Sequence, residues 1–142
     1  MPKYSSSIEI AGTAAEVWHV LADVNSWPHW LPTVTAVFAQ TEQKIQIGNR
    51  YAVHQPRVRP AVYEVTELRE NQRFIWETRA PGIRTIADHI IERIGDNKVR
   101  VILSVDIRGA LGSMLGFLAG GLTKNYLQQE TQALKKTVEH ST

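Results

Sequence analysis

His89 is the residue with the most chemistry to offer. It stands in Thr85-Ile86-Ala87-Asp88-His89-Ile90-Ile91, a stretch that alternates like a β-strand. Two registers are open to it, set by the length of the turn at 95–97. A three-residue turn sends Thr85, Ala87, His89 and Ile91 inward, whereas a four-residue turn buries Asp88 and Glu92. Burying two carboxylates without partners is costly, which selects the first register. A neutral imidazole facing an apolar interior orients a ligand hydroxyl or carbonyl, or acts as a general base. A core histidine hydrogen-bonded to a neighbour is the plainer alternative.

Other chemistry finds less support. His19, His29, His54, His89 and His140 show no metal-ligand spacing. The segment Glu16-Val17-Trp18-His19 lacks the second half of a zincin helix, so no metal site is expected. No Gly-rich phosphate loop or dinucleotide fingerprint is present, and no nucleophile elbow suggests a Ser-His-Asp triad. No cofactor is expected.

Composition narrows the field further. The 142 residues suit one domain, spanning 1–142, which buries roughly 70% of its unfolded surface. Cysteine is absent, which excludes disulfides and thiolate chemistry and fits a reducing cytoplasm. The net charge is +2, with basic and acidic residues interleaved, so a nucleic-acid arm is not expected. Arg57, Arg59, Arg69 and Arg73 read as a solvated face. Met1 to Ser7 is polar and lacks the apolar core of a signal peptide. Ala110 to Leu122 is the most apolar stretch, too short to span a bilayer, so stable membrane insertion is not expected.

The elements that position His89 follow from periodicity. Lys3 to Ala11 alternates as a first strand. Thr13 and Glu16 form a capping box opening a helix with Val17, Val20 and Leu21 on its buried stripe. Ser26 caps a short helical turn, Pro28 suits its first turn, and Pro32 ends it. Strands are predicted at 33–42, 49–55, 61–69, 73–79, 84–94 and 98–108, joined by short turns and therefore antiparallel. From Gly109 the period becomes helical and runs to about residue 139.

This inventory implies a hollow. Seven strands span roughly 30 Å, and one helix is about 10 Å across. The sheet must curl around the helix, leaving space for an apolar guest unless large side chains fill it. With Glu70-Asn71 as a two-residue turn, Glu67 opposes Phe74, Val65 opposes Trp76 and Tyr63 opposes Thr78, which sets Tyr63, Val65, Phe74, Trp76 and Thr78 on the inner face. Strand 84–94 adds Ala87 and His89. Strand 98–108 adds Val101, Leu103 and Val105, and the long helix adds Leu115, Leu118 and Leu122. These residues are the candidate ligand-binding set.

Several residues have two readings. Trp27, His29 and Trp30 either frame the cavity mouth or plug the short helices onto the long one. His54 and Gln55 lie near a hairpin end, with His54 read as exposed. Leu111 to Leu122, with Gly112, Gly116, Gly120 and Gly121, is either a surface that touches a membrane or a partner, or a mobile lid, or a close-packed segment of small residues.

The order of these features resembles a known family. Val17-Trp18, Asp23, Trp27-Pro28 and Trp30, then Gly48-Asn49-Arg50-Tyr51, Tyr63 through Leu68, Phe74-Ile75-Trp76, Pro81-Gly82, His89 and the closing Leu134-Lys135-Lys136 near Glu139 are similar to the START-like superfamily. More narrowly they resemble the SRPBCC group of polyketide cyclase/dehydrase and lipid transport type, which shares the helix-grip fold of Bet v 1. The likeness runs from about residue 3 to about residue 139. It implies an α+β helix-grip fold: a seven-stranded curved antiparallel sheet, two short helices and one long C-terminal helix enclosing a cavity for lipids, polyketides or aromatic metabolites.

The expectation adopted is a non-catalytic binder or carrier of a small hydrophobic ligand. One alternative is an aromatase/cyclase-type enzyme using an acid/base pair such as His89 with Tyr63 or Thr78. The other is a protein-interaction module using the apolar 110–122 surface.

Overall fold

The computed structural model describes residues 3–110 and 112–140, with the side chains of 112–119 excepted. Strands β1 (Lys3–Ala11), β2 (Ala36–Ala39), β3 (Arg50–His54), β4 (Ala61–Arg69), β5 (Arg73–Ala80), β6 (Ile83–Gly95) and β7 (Lys98–Arg108) form one antiparallel sheet in the order β1-β7-β6-β5-β4-β3-β2. Helix α1 (Ala14–Leu21), a 3₁₀ turn (Val24–Ser26) and α2 (Trp27–Trp30) follow β1, and α3 (Gly112–Glu139) closes the described fold. This is the α+β helix-grip architecture.

Local chemistry explains most boundaries. The Glu16 amide donates to Thr13 Oγ1 at 3.2 Å, and the Thr13 amide donates back to Glu16 Oε1 at 2.9 Å. This closes the capping box at the start of α1. Ser26 does not cap α2 as expected; its hydroxyl donates to Asp23 Oδ2 at 2.7 Å instead. Strand β2 is shorter than the expected 33–42. The Val34 amide turns back to the Leu31 carbonyl, and Asn49 Nδ2 donates to the Glu42 and Lys44 carbonyls, which shapes the segment after β2 as a loop.

Two β-bulges set the registers. Val65 opposes Trp76 as expected, but Phe74 opposes Leu68 rather than Glu67. The turn holds three residues, with Asn71 at a φ of 65°, and a bulge between Val65 and Glu67 absorbs the difference. Between β6 and β7, Asp96-Asn97 is a two-residue turn closed by Gly95 and Lys98, and a bulge follows between Arg93 and Gly95. The pairing beyond it, Ile91 with Val101 and His89 with Leu103, is the register that sends His89 and Ile91 inward.

Helix α3 lies along β1 and β7. It also satisfies two backbone groups at the end of β1: Glu139 Oε2 accepts from the Ala11 amide at 2.8 Å, and Lys135 Nζ donates to the Glu9 carbonyl at 2.9 Å. At Gly120 an added Cβ would lie 2.7 Å from the Tyr4 hydroxyl, so the missing side chain lets helix and strand approach closely.

The trough is fuller than the helix-width argument predicts. Helix α3 is not the sole cover of the sheet. In the structure α1, the 3₁₀ turn and α2 add Val17, Leu21, Val24 and Trp27 to the buried core, with Leu31 just after them. These join Tyr51, Phe74 and Trp76 from the sheet and Leu127, Leu134 and Val138 from α3.

Candidate functional site

What remains open in the interior is a cavity of about 70 Å³ between α3 and the concave face of the sheet. A smaller void of about 20 Å³ lies deeper, toward α1 and α2. His89, Trp27, Leu103 and Glu130 line both.

His89 arrives from the middle of β6. Its ring stacks on Phe74, centroids 3.9 Å apart and planes 10° from parallel. Nδ1 lies 3.1 Å from the Phe74 carbonyl oxygen. A carbonyl only accepts, so Nδ1 carries the proton and Nε2 keeps its lone pair. Burial lowers the His89 pKa to about 4, against the opposing pull of the Phe74 carbonyl and Asp88. The ring is therefore neutral at pH 7. Nε2 has no protein partner among the described residues. No described side-chain nitrogen or oxygen is both sealed and unpartnered, so Nε2 faces cavity space.

Glu130 comes from α3. It stands three residues after Leu127 and four before Leu134, on the stripe that faces the sheet. Thr33 Oγ1, in the loop after α2, donates to its Oε1 at 3.1 Å. Burial raises the Glu130 pKa to about 7, with the Thr33 hydrogen bond acting the other way. Tyr63, from β4, also lines the larger cavity, and its pKa is raised to about 12 by burial and then by the charge of Glu130. The wall is aromatic: Trp76 lies 5.1 Å from Tyr63 and 5.2 Å from Trp27, centroid to centroid. A neutral imidazole lone pair, a carboxyl poised near neutrality and a phenol thus share one apolar chamber. Such groups in an apolar setting offer one hydrogen-bond acceptor and two hydroxyl-type donors within a single space.

The sequence-derived candidates divide into three groups. Tyr63, Trp76, Ala87, His89, Leu103 and Val105 line the larger cavity. Val65, Phe74 and Val101 are buried in the solid core, while Thr78 and Leu122 are half-buried and line neither described cavity. The side chains of Leu115 and Leu118 lie outside the described residues, as does most of the 111–122 segment. Thr78 therefore does not join His89 at the cavity, and Glu130 does. Sequence reasoning passed over Glu130, although its spacing from Leu127 and Leu134 carried the signal. Gln55, read as part of a hairpin end, also lines the cavity.

Trp27 behaves as a plug. It is buried, and its Nε1 donates to the Leu21 carbonyl at 2.9 Å. Trp30 lines the deeper void and, with His29, also borders an open surface groove of about 630 Å³ between α2 and the end of α3. This groove is larger than the interior cavity, but it is a solvent-open depression that shares no lining residue with the larger His89 cavity and meets the deeper void only at Trp30 and Leu31. Among the described residues no group of three or more histidine or carboxylate side chains is placed to hold a metal ion. No described helix is long and apolar enough to cross a membrane.

Comparison with known proteins places these features in context. The family model for polyketide cyclase / dehydrase and lipid transport proteins matches residues 1–139. No curated protein sequence matches the chain significantly. Among solved structures, the chain is similar to the Zhui aromatase/cyclase from Streptomyces sp. R1128, at a TM-score of 0.79 and 14% identity over 97% of this chain and 93% of that one. It is also similar to a START superfamily protein from Mycobacterium smegmatis, at 0.74 and 19% over 99% of both chains. Truncated norcoclaurine synthase from Thalictrum flavum aligns at 0.78 and 12%, over 99% of this chain and 95% of that one. At these identities the likeness shows the fold.

Proposed function

The chain belongs to the polyketide cyclase/dehydrase and lipid transport family, and from that membership we propose that its interior binds a small, mostly apolar molecule carrying a hydroxyl or carbonyl group. The observation that carries this reading is the chamber itself: Trp27, Tyr63, Trp76 and Leu103 supply apolar wall, and His89 and Glu130 supply polar ends. Burial of the guest's apolar surface would contribute about 25 cal/mol per Å², and the two polar groups would fix its orientation.

The cavity volume sets a condition on this proposal. About 70 Å³ is room for roughly two waters, and a benzene-sized guest occupies a cavity of about 150 Å³. A larger guest must therefore displace wall side chains. The sheet strands are tied by a continuous ladder, so the displacement falls to Trp27 on the four-residue α2. Trp27 and Trp76 both line the cavity, so their fluorescence reports occupancy. Incubation with a lipid extract, washing and mass spectrometry should recover an oxygen-bearing apolar species and quench that fluorescence. Recovery of solvent alone, with fluorescence unchanged under every condition that keeps the fold, would overturn the proposal.

One observation favours a second reading, an enzyme of the cyclase type. The Glu130 pKa of about 7 sits at the optimum for proton transfer at neutral pH. In such a reaction His89 Nε2 would take a proton from carbon next to a carbonyl while protonated Glu130 gives one to the carbonyl oxygen. Turnover lost in Glu130→Gln with guest binding retained would support this reading; equal loss of both would leave binding as the function.

A further inference from the structure

The connection between β3 and β4 is exposed without a break from residue 56 to residue 60, Pro-Arg-Val-Arg-Pro, and follows a half-buried Gln55 on the cavity side. The Val58 amide reaches back to the Gln55 carbonyl at 3.4 Å, with Pro56 second in the turn and Arg57 third at a φ of 68°. A third turn position with positive φ ordinarily takes glycine or asparagine, because a larger L side chain is strained there. An arginine at a position that favours glycine directs attention to what its side chain does.

Neither Arg57 nor Arg59 has an ion-pair partner among the described residues. Arg69, Arg73, Arg79, Arg84, Arg100 and Arg108 all have one, while Arg50 and Arg93, elsewhere on the sheet, have none among the described residues. No acidic residue occurs from Gln43 through Tyr63. The two free guanidinium groups bracket Val58, which is 43% exposed. Beside them, Phe38, Ala52 and Val62 lie in register across β2, β3 and β4, and Phe38 and Val62 are exposed. The corner thus offers cations and apolar side chains, and the segment from Gln43 through Tyr63 brings no carboxylate to it.

We infer that this corner docks the protein on an anionic phospholipid surface, with Arg57 and Arg59 on phosphate groups and Val58 in the interfacial layer. A projecting tip with one apolar residue between two cations suits a deformable headgroup layer, whereas a folded acidic partner would need a matching pocket. The tip also adjoins the chamber. Gln55 lines the cavity, and the Tyr126 hydroxyl of α3 donates to the Pro56 carbonyl. Docking here would bring the cavity wall to the membrane surface. The inference stands apart from the cavity reading, since docking requires no guest.

The test is co-sedimentation of the full chain with vesicles of phosphatidylcholine alone or mixed with phosphatidylglycerol, at low and high salt. Wild type should sediment with the anionic vesicles only, and added salt should weaken the binding. Arg57→Gly and Arg59→Gln should each weaken it about fivefold, and Val58→Asp should weaken it further. Arg57→Gly should leave the thermal midpoint unchanged or slightly raised, because glycine adopts that φ freely. The inference is overturned if anionic vesicles are not bound, if neutral vesicles are bound equally, or if the arginine variants bind like wild type. Retention on immobilised polyglutamate without vesicle binding would assign the corner to an acidic protein and would equally overturn it.

Discussion

His89 and Glu130 line the same interior space with their protonation displaced in opposite directions. Burial takes the imidazole down to about 4 and the carboxyl up to about 7. Each group is held toward its uncharged form, so the chamber stays free of net charge across mildly acidic pH.

Stability against pH follows from that pairing. Between about pH 4.5 and 7, Glu130 keeps its proton in the native state and loses it on unfolding, so its contribution to stability falls as pH rises. Between about pH 4 and 6.5, His89 is deprotonated in the native state and protonated on unfolding, so its contribution falls as pH drops. The two slopes oppose each other over most of that range. Glu130→Gln should remove the opposing slope and leave that of His89, which raises stability by up to about 3 kcal/mol from pH about 4 to pH about 6.5 relative to wild type's flatter curve. Urea denaturation of wild type and variant across this range checks it; parallel curves would contradict the assignment.

Thr33 restrains Glu130, because its hydroxyl hydrogen bond is the one influence that lowers the carboxyl pKa. Thr33→Val should push the Glu130 titration to higher pH and cost about 1–2 kcal/mol. Carbon-13 NMR of the side-chain carboxyls reads the midpoint directly. A midpoint unchanged or lowered in the variant would show that the bond does not act on Glu130.

Trp27 occupies space that a guest would use. Trp27→Leu should destabilise the fold by about 2–4 kcal/mol through lost packing against Trp76 and Phe74 and the loss of its bond to the Leu21 carbonyl. The same change should enlarge the chamber and strengthen binding of a fluorescent aromatic probe. A destabilised variant that binds the probe no better would show that the core collapses into the gap.

Two glycines with positive φ should respond differently to alanine. At Gly109, with a φ of 104°, a Cβ would lie 2.5 Å from the Gly82 carbonyl oxygen and 3.2 Å from the Ile83 Cα. At Gly48, with a φ of 91°, nothing lies within 4 Å. Gly48→Ala therefore carries backbone strain alone, about 1–2 kcal/mol, and Gly109→Ala adds a backbone collision that should take it beyond about 3 kcal/mol. Chemical denaturation of the two variants gives the comparison, and equal losses would contradict it.

Most of the architecture was legible because strand alternation and turn residues are local signals. The Thr13–Glu16 capping box and the inward register of His89 both follow from neighbours in sequence. The bulge between Val65 and Glu67 was not legible: a two-residue and a three-residue turn at Glu70-Asn71 are both compatible with the sequence, and ladder hydrogen bonds decide between them. The fullness of the trough was hidden for a different reason. Helix and strand widths are generic, whereas the space left depends on where Trp27 points, and that depends on the Leu21 carbonyl six residues earlier. Glu130 was obscured by its type, since a carboxylate on an amphipathic helix is ordinarily solvated.

The hold of Glu139 and Lys135 on the backbone of β1 has a consequence beyond the single molecule. A terminal strand that still offers its amides and carbonyls invites a neighbour to zip on, and repeated zipping builds fibrils. Here the last turns of α3 occupy the Ala11 amide and the Glu9 carbonyl at one end of that edge, and the opposite border, β2, is only four residues long. Crowded copies of the chain therefore meet a shortened template along which to polymerise.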